Sequence, residues 1–123
     1  LIDESYNSNP LSLKFSIKKF DKIETRNAKY LLLGDMLELG KFSKKLHSDI
    51  AKNINKTQIS KVYVYGKDII YTFNKLRTQK KGKIFKSNNE ILRFINNEIH
   101  NNDYLMVKGS NSTGLNEIIK KLN

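Results

Sequence analysis

Five short apolar runs alternate along this chain with segments of helical spacing, and this alternation constrains the fold more than any other feature. The runs predict strands at Leu1–Ile2, Ala28–Leu33, Lys61–Tyr65, Lys83–Phe85 and Tyr104–Lys108. Strands that alternate with helices over short loops form parallel sheets with right-handed crossovers. We therefore predict an α/β fold with a mostly parallel sheet of five to six strands and helices on both faces.

The segments between the runs are typical of amphipathic helices. The first is predicted to begin after an Asn9 cap and to bury Leu13, Ile17 and Phe20. The second is predicted to begin at a Ser43 cap. The later helices are predicted over residues 67–76, 88–99 and 113–122. One Rossmann-like domain over residues 1–123 accounts for the whole pattern.

The amino-acid composition limits the kinds of partner that this chain can bind. A net charge of +11 would suit nucleic-acid phosphates. Most of that charge is lysine, however, and only Arg26, Arg77 and Arg93 offer the bidentate fork of specific readers. The densest basic cluster, Lys75–Lys86, is predicted to be a solvated loop. We expect no nucleic-acid partner, and a stand-alone basic α/β binding module is the alternative.

Two further features concern location. The sequence has no cysteine and no long apolar segment, and acidic Asp3 and Glu4 stand where a signal peptide would be positive. These features predict a cytoplasmic protein with no membrane partner. The chain starts at Leu1 rather than Met, which indicates processing or a piece of a longer protein.

Polar turns follow the first, second and fifth predicted strands. Carboxyl ends of parallel strands meet at one edge of a sheet, where α/β proteins bind ligands. The turns would bring together Asp3, Tyr6, Asn7, Asn9, Asp35, Glu38, Lys108 and Ser110. We predict that this rim takes a polar, partly anionic ligand such as a nucleotide or a sugar-peptide.

Several common motifs are missing. The chain has no Gly-x-x-x-x-Gly-Lys-[Ser/Thr] loop, no Gly-x-Gly-x-x-Gly after the first strand and no Gly-x-Ser-x-Gly elbow. Gly109–Gly114 resembles a phosphate loop in composition only. His47 and His100 lack the spacing of metal ligands, so we predict no metal site within this chain.

Three segments, in order, resemble the C-terminal domain of the Mur ligases. Ile2–Leu13 resembles the family's Asp-Asp-Ser-Tyr-Asn-Ala-Asn-Pro-x-Ser-Met opening, although Glu4 replaces its second aspartate. Leu33–Gly40, followed by Ser43 and His47, resembles Leu-Gly-Asp-Met-x-Glu-Leu-Gly…Ser…His. Val107-Lys108-Gly109-Ser110 matches Val-Lys-Gly-Ser.

The Tyr-Asn-Ser-Asn-Pro form of the first segment favours the branch of this family that adds D-alanyl-D-alanine, because related ligases usually carry a histidine there. The alternative within the family is another Mur ligase or a folylpolyglutamate-type ligase.

The resemblance implies a part of an ATP-dependent amide ligase of peptidoglycan synthesis. Its substrates would be UDP-N-acetylmuramoyl-tripeptide and D-alanyl-D-alanine, and its cofactors ATP and Mg²⁺. The family holds the P-loop and the metal ligands in a central domain and the UDP group in an N-terminal domain, both absent from this chain. The present domain would close over the site of a monomeric ligase, and alone it would be inactive.

The resemblance also assigns roles to individual residues. The nucleotide-binding candidates are Asp3, Tyr6, Asn7, Asn9, Gly34 and Asp35, and the candidates for contact with the peptide substrates are Lys108, Gly109 and Ser110. The family usually continues with Arg-x-Met-x-Met-Glu, whereas this chain has Asn111–Asn116. An arginine partner for a carboxylate or phosphate is therefore missing.

Five of the residues named above also have plain structural interpretations. Asn7 and Asn9 could serve the turn and the cap that follows it, and Glu38 could cap the next helix. His47 could pack a helix against its neighbours, and Lys108 could be a solvated residue at a strand end.

Overall fold

The sheet has five strands, and all of its pairings are parallel in this computed structural model, which describes residues 2–4 and 9–109. The strands are β1 (Ile2–Glu4), β2 (Lys29–Gly34), β3 (Lys61–Tyr65), β4 (Lys81–Ile84) and β5 (Tyr104–Lys108). Their spatial order is β1-β5-β2-β3-β4, so the last strand inserts between the first two. The predicted α/β class and parallel sheet are confirmed.

Four helices connect these strands. They are α1 (Pro10–Asp21), α2 (Ser43–Asn55), α3 (Ile69–Asn74) and α4 (Asn88–Glu98). Short 3₁₀ turns at Gly40–Phe42 and Thr78–Lys80 precede α2 and β4. The helix predicted over 113–122 lies outside the described residues. No helix in the described part of the chain is long and apolar enough to cross a bilayer.

The alternation of side chains along β2 divides the core into two clusters, one on each face of the sheet. Leu31 and Leu33 pack with α1, α2 and α3, whereas Leu32 packs with Phe94 of α4 on the opposite face. Each of the three leucines is at most 1% exposed. The run of apolar residues in β2 is therefore explained by burial on both faces.

The predicted start of α1 is confirmed in detail. Asn9 caps the helix by accepting a hydrogen bond from the Ser12 amide (2.9 Å), and the Ser12 hydroxyl accepts one from the Asn9 amide (3.2 Å). This reciprocal pair is a capping box, and Pro10 follows at the first helical position. The first turn of α1 is thus coded entirely by adjacent residues.

Four predicted boundaries need correction. Strand β1 continues to Glu4, two residues beyond its predicted end, because Asp3 and Glu4 pair with Val107 and Lys108 of β5. The cap of α2 is Phe42 rather than Ser43, because the 3₁₀ turn leads directly into the helix and supplies a carbonyl for the Ser43 amide. Helix α3 is shorter at both ends than predicted. Strand β4 begins at Lys81, two residues early, so the basic cluster of residues 75–86 contains a 3₁₀ turn and a strand and is not simply a loop.

Two buried lysines, at the start of β2 and just before β4, form hydrogen bonds with the chain at and after the ends of α1 and α2. The Lys29 ammonium donates to the carbonyls of Asp21 (2.7 Å) and Ile23 (3.1 Å), at the end of α1. The Lys80 ammonium donates to the carbonyls of Thr57 (2.7 Å) and Ile59 (2.8 Å), beyond the end of α2. Burial lowers the pKa of Lys80 below its ordinary value. These lysines therefore give hydrogen-bond partners to carbonyls at and beyond the ends of α1 and α2.

An aromatic cluster fills the other face, and Tyr63 lies at its centre. The Tyr63 ring is 4.0 Å from that of Phe94 and stacks on Phe85 at 5.6 Å, measured between centroids. Burial, with smaller contributions from Glu98 and Tyr30, raises the pKa of Tyr63 from 10.0 to about 12.

This shift predicts a pH-dependent difference between the protein and its Tyr63→Phe variant. Between pH 10.0 and about 12 the folded state binds more protons at Tyr63 than the unfolded state does, so stability falls as pH rises through this window. Urea unfolding followed by circular dichroism should show a smaller loss across the window in Tyr63→Phe. Parallel losses in the two proteins would contradict the assignment.

Candidate functional site

The three polar turns predicted to meet do follow three adjacent strands. In the sheet Glu4 is paired with Lys108, and Lys108 with Leu33. The carboxyl ends of β1, β5 and β2 therefore stand side by side, and the chain leaves each of them at the same edge. We call this edge the rim, formed by the ends of these three strands and the loop Asp35–Leu39.

Asp35 joins the rim to the start of α3. Its carboxylate accepts hydrogen bonds from three consecutive amides, those of Lys67 (3.1 Å), Asp68 (2.9 Å) and Ile69 (2.8 Å). The Asp68 and Ile69 amides lie at the start of α3, where a helix leaves its amides unpaired, and a negative charge at that point is also favoured by the helix dipole. Asp35 thus fixes α3 from a loop more than 30 residues away along the chain.

Gly66 makes this approach possible. Its φ of +154° is a conformation that residues with a side chain rarely adopt. A Cβ at this position would stand 2.8 Å from the Asp35 carboxyl carbon, inside van der Waals contact. The glycine after β3 is required by the packing of a side chain from the neighbouring loop.

His47 holds the next residue of the loop. The Met36 amide donates to His47 Nε2 (3.0 Å), so the proton of the neutral ring is on Nδ1, which donates to the Ser43 carbonyl (2.8 Å). His47 is completely buried. The packing interpretation of His47 is therefore confirmed, and its ring links α2 to the rim.

Ser43 and Thr72 extend this network to α3. The Ser43 hydroxyl donates to Asp68 Oδ2 (2.7 Å), and the Thr72 hydroxyl donates to the His47 carbonyl (2.6 Å). Residues of α2 and α3 are thereby connected through polar side chains as well as through the core. Polar networks that satisfy their members fix a unique arrangement of the elements that they join.

The tip of the loop Asp35–Leu39 is exposed, whereas the residues on either side of the tip are packed in the core. Met36 and Leu39 pack in the core, whereas Leu37 is 43% exposed and Glu38 is also exposed. Glu38 has a φ of +64°, a left-handed conformation that is costly for a residue with a side chain. The N-cap positions of the 3₁₀ turn and of α2 are Leu39 and Phe42, and neither side chain makes a capping hydrogen bond. Glu38 therefore does not occupy the capping position that was predicted for it.

Five of the nine predicted site residues are described with their surroundings, Asp35 above and four others. The Asn9 side chain is used as the cap of α1, Gly34 and Gly109 are buried beside the ends of β2 and β5, and Lys108 is 4% exposed. The interpretation of Lys108 as a solvated lysine is wrong, because β5 lies inside the sheet. A buried ammonium is stable only when it is paired.

The remaining candidates divide into two groups. Asp35 is described above, and its carboxylate is engaged with α3. The side chains of Asp3, Tyr6, Asn7 and Ser110 lie outside the described residues. The predicted binding roles therefore stay predictions for the whole set.

The described residues offer limited capacity for a cofactor. Within residues 9–109, no three His, Cys, Asp or Glu side chains come together as a cage for a metal ion. A carboxylate has about four acceptor positions, and the three amides leave Asp35 room to accept about one further hydrogen bond. The described part of the rim therefore offers carboxylate oxygens of Asp35 that are already engaged with α3.

Sequence reasoning missed Gly66, Asp68 and Thr72. Ser43 and His47 are one helical turn apart, which is a local signal that their side chains share a face. The Gly-Lys-Asp turn after β3 was a second signal, typical of a helix start. The contacts across the loops had no signal in a single sequence.

Comparison with known proteins shows the class to which the chain belongs. It is a member of the family described as the Mur ligase, glutamate ligase domain, which matches residues 1–111. Two relatives are named UDP-N-acetylmuramoyl-tripeptide–D-alanyl-D-alanine ligase. The one from Bacillus subtilis is 29% identical over 125 residues, which cover 99% of this chain and 27% of the relative. The one from Buchnera aphidicola (strain APS) is 31% identical over 127 residues, covering 99% and 26%.

Solved structures support the same fold. The MurF ligase of Thermotoga maritima in complex with ADP gives a TM-score of 0.77 at 19% identity, covering 94% of this chain and 26% of that one. A MurF structure from Acinetobacter baumannii gives 0.80 at 22%, covering 96% and 26%. The chain spans about a quarter of these proteins. The predicted fold of a Mur ligase C-terminal domain is confirmed.

The packing of Gly66 against Asp35 predicts unequal effects for two glycine substitutions. Gly66→Ala should destabilise the fold by about 3 kcal/mol, through backbone strain and displacement of Asp35. Gly40→Ala is the matched control, because Gly40 has a φ of +57° but nothing within 4 Å of its Cβ position. The control should cost only about 1 kcal/mol. Equal shifts of the urea midpoint would contradict the role of Asp35.

The two histidines form a second matched pair. His47→Leu should destabilise the fold by about 2–3 kcal/mol, because the Met36 amide and the Ser43 carbonyl lose a buried partner. His100→Leu should change stability by less than about 0.5 kcal/mol, since that residue is exposed. Chemical denaturation of both variants tests this prediction. An equally large loss of stability in His100→Leu would show that the effect does not come from the hydrogen bonds of His47.

Proposed function

We propose that this chain is the C-terminal domain of a ligase that adds D-alanyl-D-alanine to UDP-N-acetylmuramoyl-tripeptide. The observation that carries the proposal is that five relatives of this name each align over 97–99% of the chain. The shared name favours this branch over another Mur ligase or a folylpolyglutamate-type ligase. The proposed protein is a cytoplasmic monomer, and its other domains are its main partner.

We infer that ATP is the nucleotide, since a Mur ligase of similar fold is described in complex with ADP. When bound, ATP would supply the phosphoryl group that activates the tripeptide carboxylate for attack by the dipeptide amine. The described residues offer no cage for Mg²⁺, so we propose that its ligands belong to another domain. Asp35 could accept from a nucleotide hydroxyl with its remaining acceptor position.

The residues of this chain would position the reactants and exclude water. Asp3, Tyr6, Asn7, Asn9, Gly34 and Asp35 are proposed to form the nucleotide wall, and Lys108, Gly109 and Ser110 the wall facing the peptide substrates. A rim held by Asp35 and His47 can close on the other domains as a rigid edge. Closure of that kind aligns the reactants and protects an intermediate that water would destroy.

The proposal predicts loss of catalysis without loss of folding in a full-length ligase that carries this domain. Asp3→Asn and Lys108→Met should each lower kcat/KM by about ten-fold or more, because each removes a charge proposed to contact the ligands. Phosphate release that depends on D-alanyl-D-alanine is the measurement. Lys83→Met is the control, since Lys83 is exposed on the edge strand β4.

Circular dichroism should show that all three variants are folded. Wild-type kcat/KM in Asp3→Asn or in Lys108→Met would remove that residue from the site. No ligation by the unmodified full-length protein with these two substrates would overturn the proposed function itself.

A further inference from the structure

The outer face of α1 carries apolar residues that the core does not explain. Leu11 is 79% exposed and Phe15 is 68% exposed, whereas Leu13 and Ile17 on the inner face are buried. Leu11 and Phe15 are one helical turn apart and therefore lie on one stripe. These are the two most exposed large apolar side chains among the described residues.

A groove runs beside this stripe, between α1 and the end of α2. Its volume is about 440 Å³, and its lining includes Leu11 and Phe15. Three lysines contribute to the same lining, Lys14, Lys18 and Lys56. The face thus combines protruding apolar side chains with positive charge; we call it the α1–α2 face.

The positive charge of this face is not balanced locally by its one acidic lining residue. The Asp21 carboxylate accepts a hydrogen bond from the Gln58 amide (2.8 Å) and lies 3.8 Å from the Lys29 ammonium. It is therefore already engaged within the fold. An occupant of the face should supply negative charge of its own together with apolar surface.

Charge and position favour one class of occupant. A second copy of this chain would bring two sets of lysines together, which is unfavourable. The groove extends along the helices from Leu11, in the first turn of α1, to Thr57 at the amino edge of the sheet. None of the three arginines lines it, although acidic protein partners are usually held by arginine anchors. Lysines alone suit a diffuse anionic surface.

We propose that the α1–α2 face docks on the surface of a bilayer rich in anionic phospholipid. Leu11 and Phe15 insert among the acyl chains near the headgroups, and Lys14, Lys18 and Lys56 interact with the negative surface potential. This docking departs from our prediction of no membrane partner. It is independent of the proposed ligase activity.

Vesicle co-sedimentation of the 123-residue chain tests the docking. Binding to vesicles with about one-third phosphatidylglycerol should exceed binding to pure phosphatidylcholine by at least about ten-fold, and should fall as salt rises. Leu11→Ser/Phe15→Ser should lower binding by about ten-fold. The matched control is Leu37→Ser/Phe42→Ser, which removes the other exposed apolar pair and should leave binding unchanged.

A second pair of variants separates local charge from net charge. Lys18→Glu/Lys56→Glu should abolish most of the binding, whereas Lys75→Glu/Lys86→Glu, with the same net charge and with both lysines exposed elsewhere, should retain it. Equal losses in the two would overturn the docking in favour of non-specific attraction. Equal binding of the wild-type chain to anionic and neutral vesicles would also overturn the docking. An acidic protein segment would then become the occupant to test.

Discussion

The contact between the Asp35 carboxylate and three amides at the start of α3 is the interaction on which the rim depends. It uses one side chain for two purposes, because it satisfies the helix start and fixes the loop that follows β2. The approach requires Gly66, since a Cβ there would overlap the carboxylate. If the loop and α3 moved apart, three hydrogen bonds would be lost, two of them partly buried, which is costly.

The strained tip of the same loop is a consequence of this anchoring. Met36 is held by His47, and Leu39 packs in the core, so Glu38 is left with a left-handed backbone between two fixed points. Strain of this kind persists only where the surroundings determine it. The result is an exposed acidic tip whose position is set by the fold, at the edge where parallel sheets bind their ligands.

Most of the fold could be predicted because its signals are local. The start of α1 is coded by Asn9, Pro10 and Ser12 within four residues, and β2 by the apolar run that burial on both faces demands. Ser43 was misjudged as a cap because a 3₁₀ turn leads directly into α2, and its hydroxyl is used by Asp68, 25 residues away. The rim could be predicted because parallel strands place their carboxyl ends at the same edge of the sheet. The hydrogen bonds from α3 to Asp35 could not be predicted, because they join residues more than 30 positions apart and no sequence spacing indicates them.

The two faces of α1 explain how the rim and the outer surface can serve different purposes. The first turn of α1 lies beside the rim, where Asn9 is used as a cap, while the stripe that begins at Leu11 extends along the helix toward the opposite edge of the sheet. An occupant of the α1–α2 face would therefore contact the side of the helix layer and leave the strand ends accessible. Since Asp35 and His47 fix the rim from within, contact at that side need not alter its geometry. The rim and the α1–α2 face are therefore distinct surfaces of the same helix layer, and α1 contributes to both.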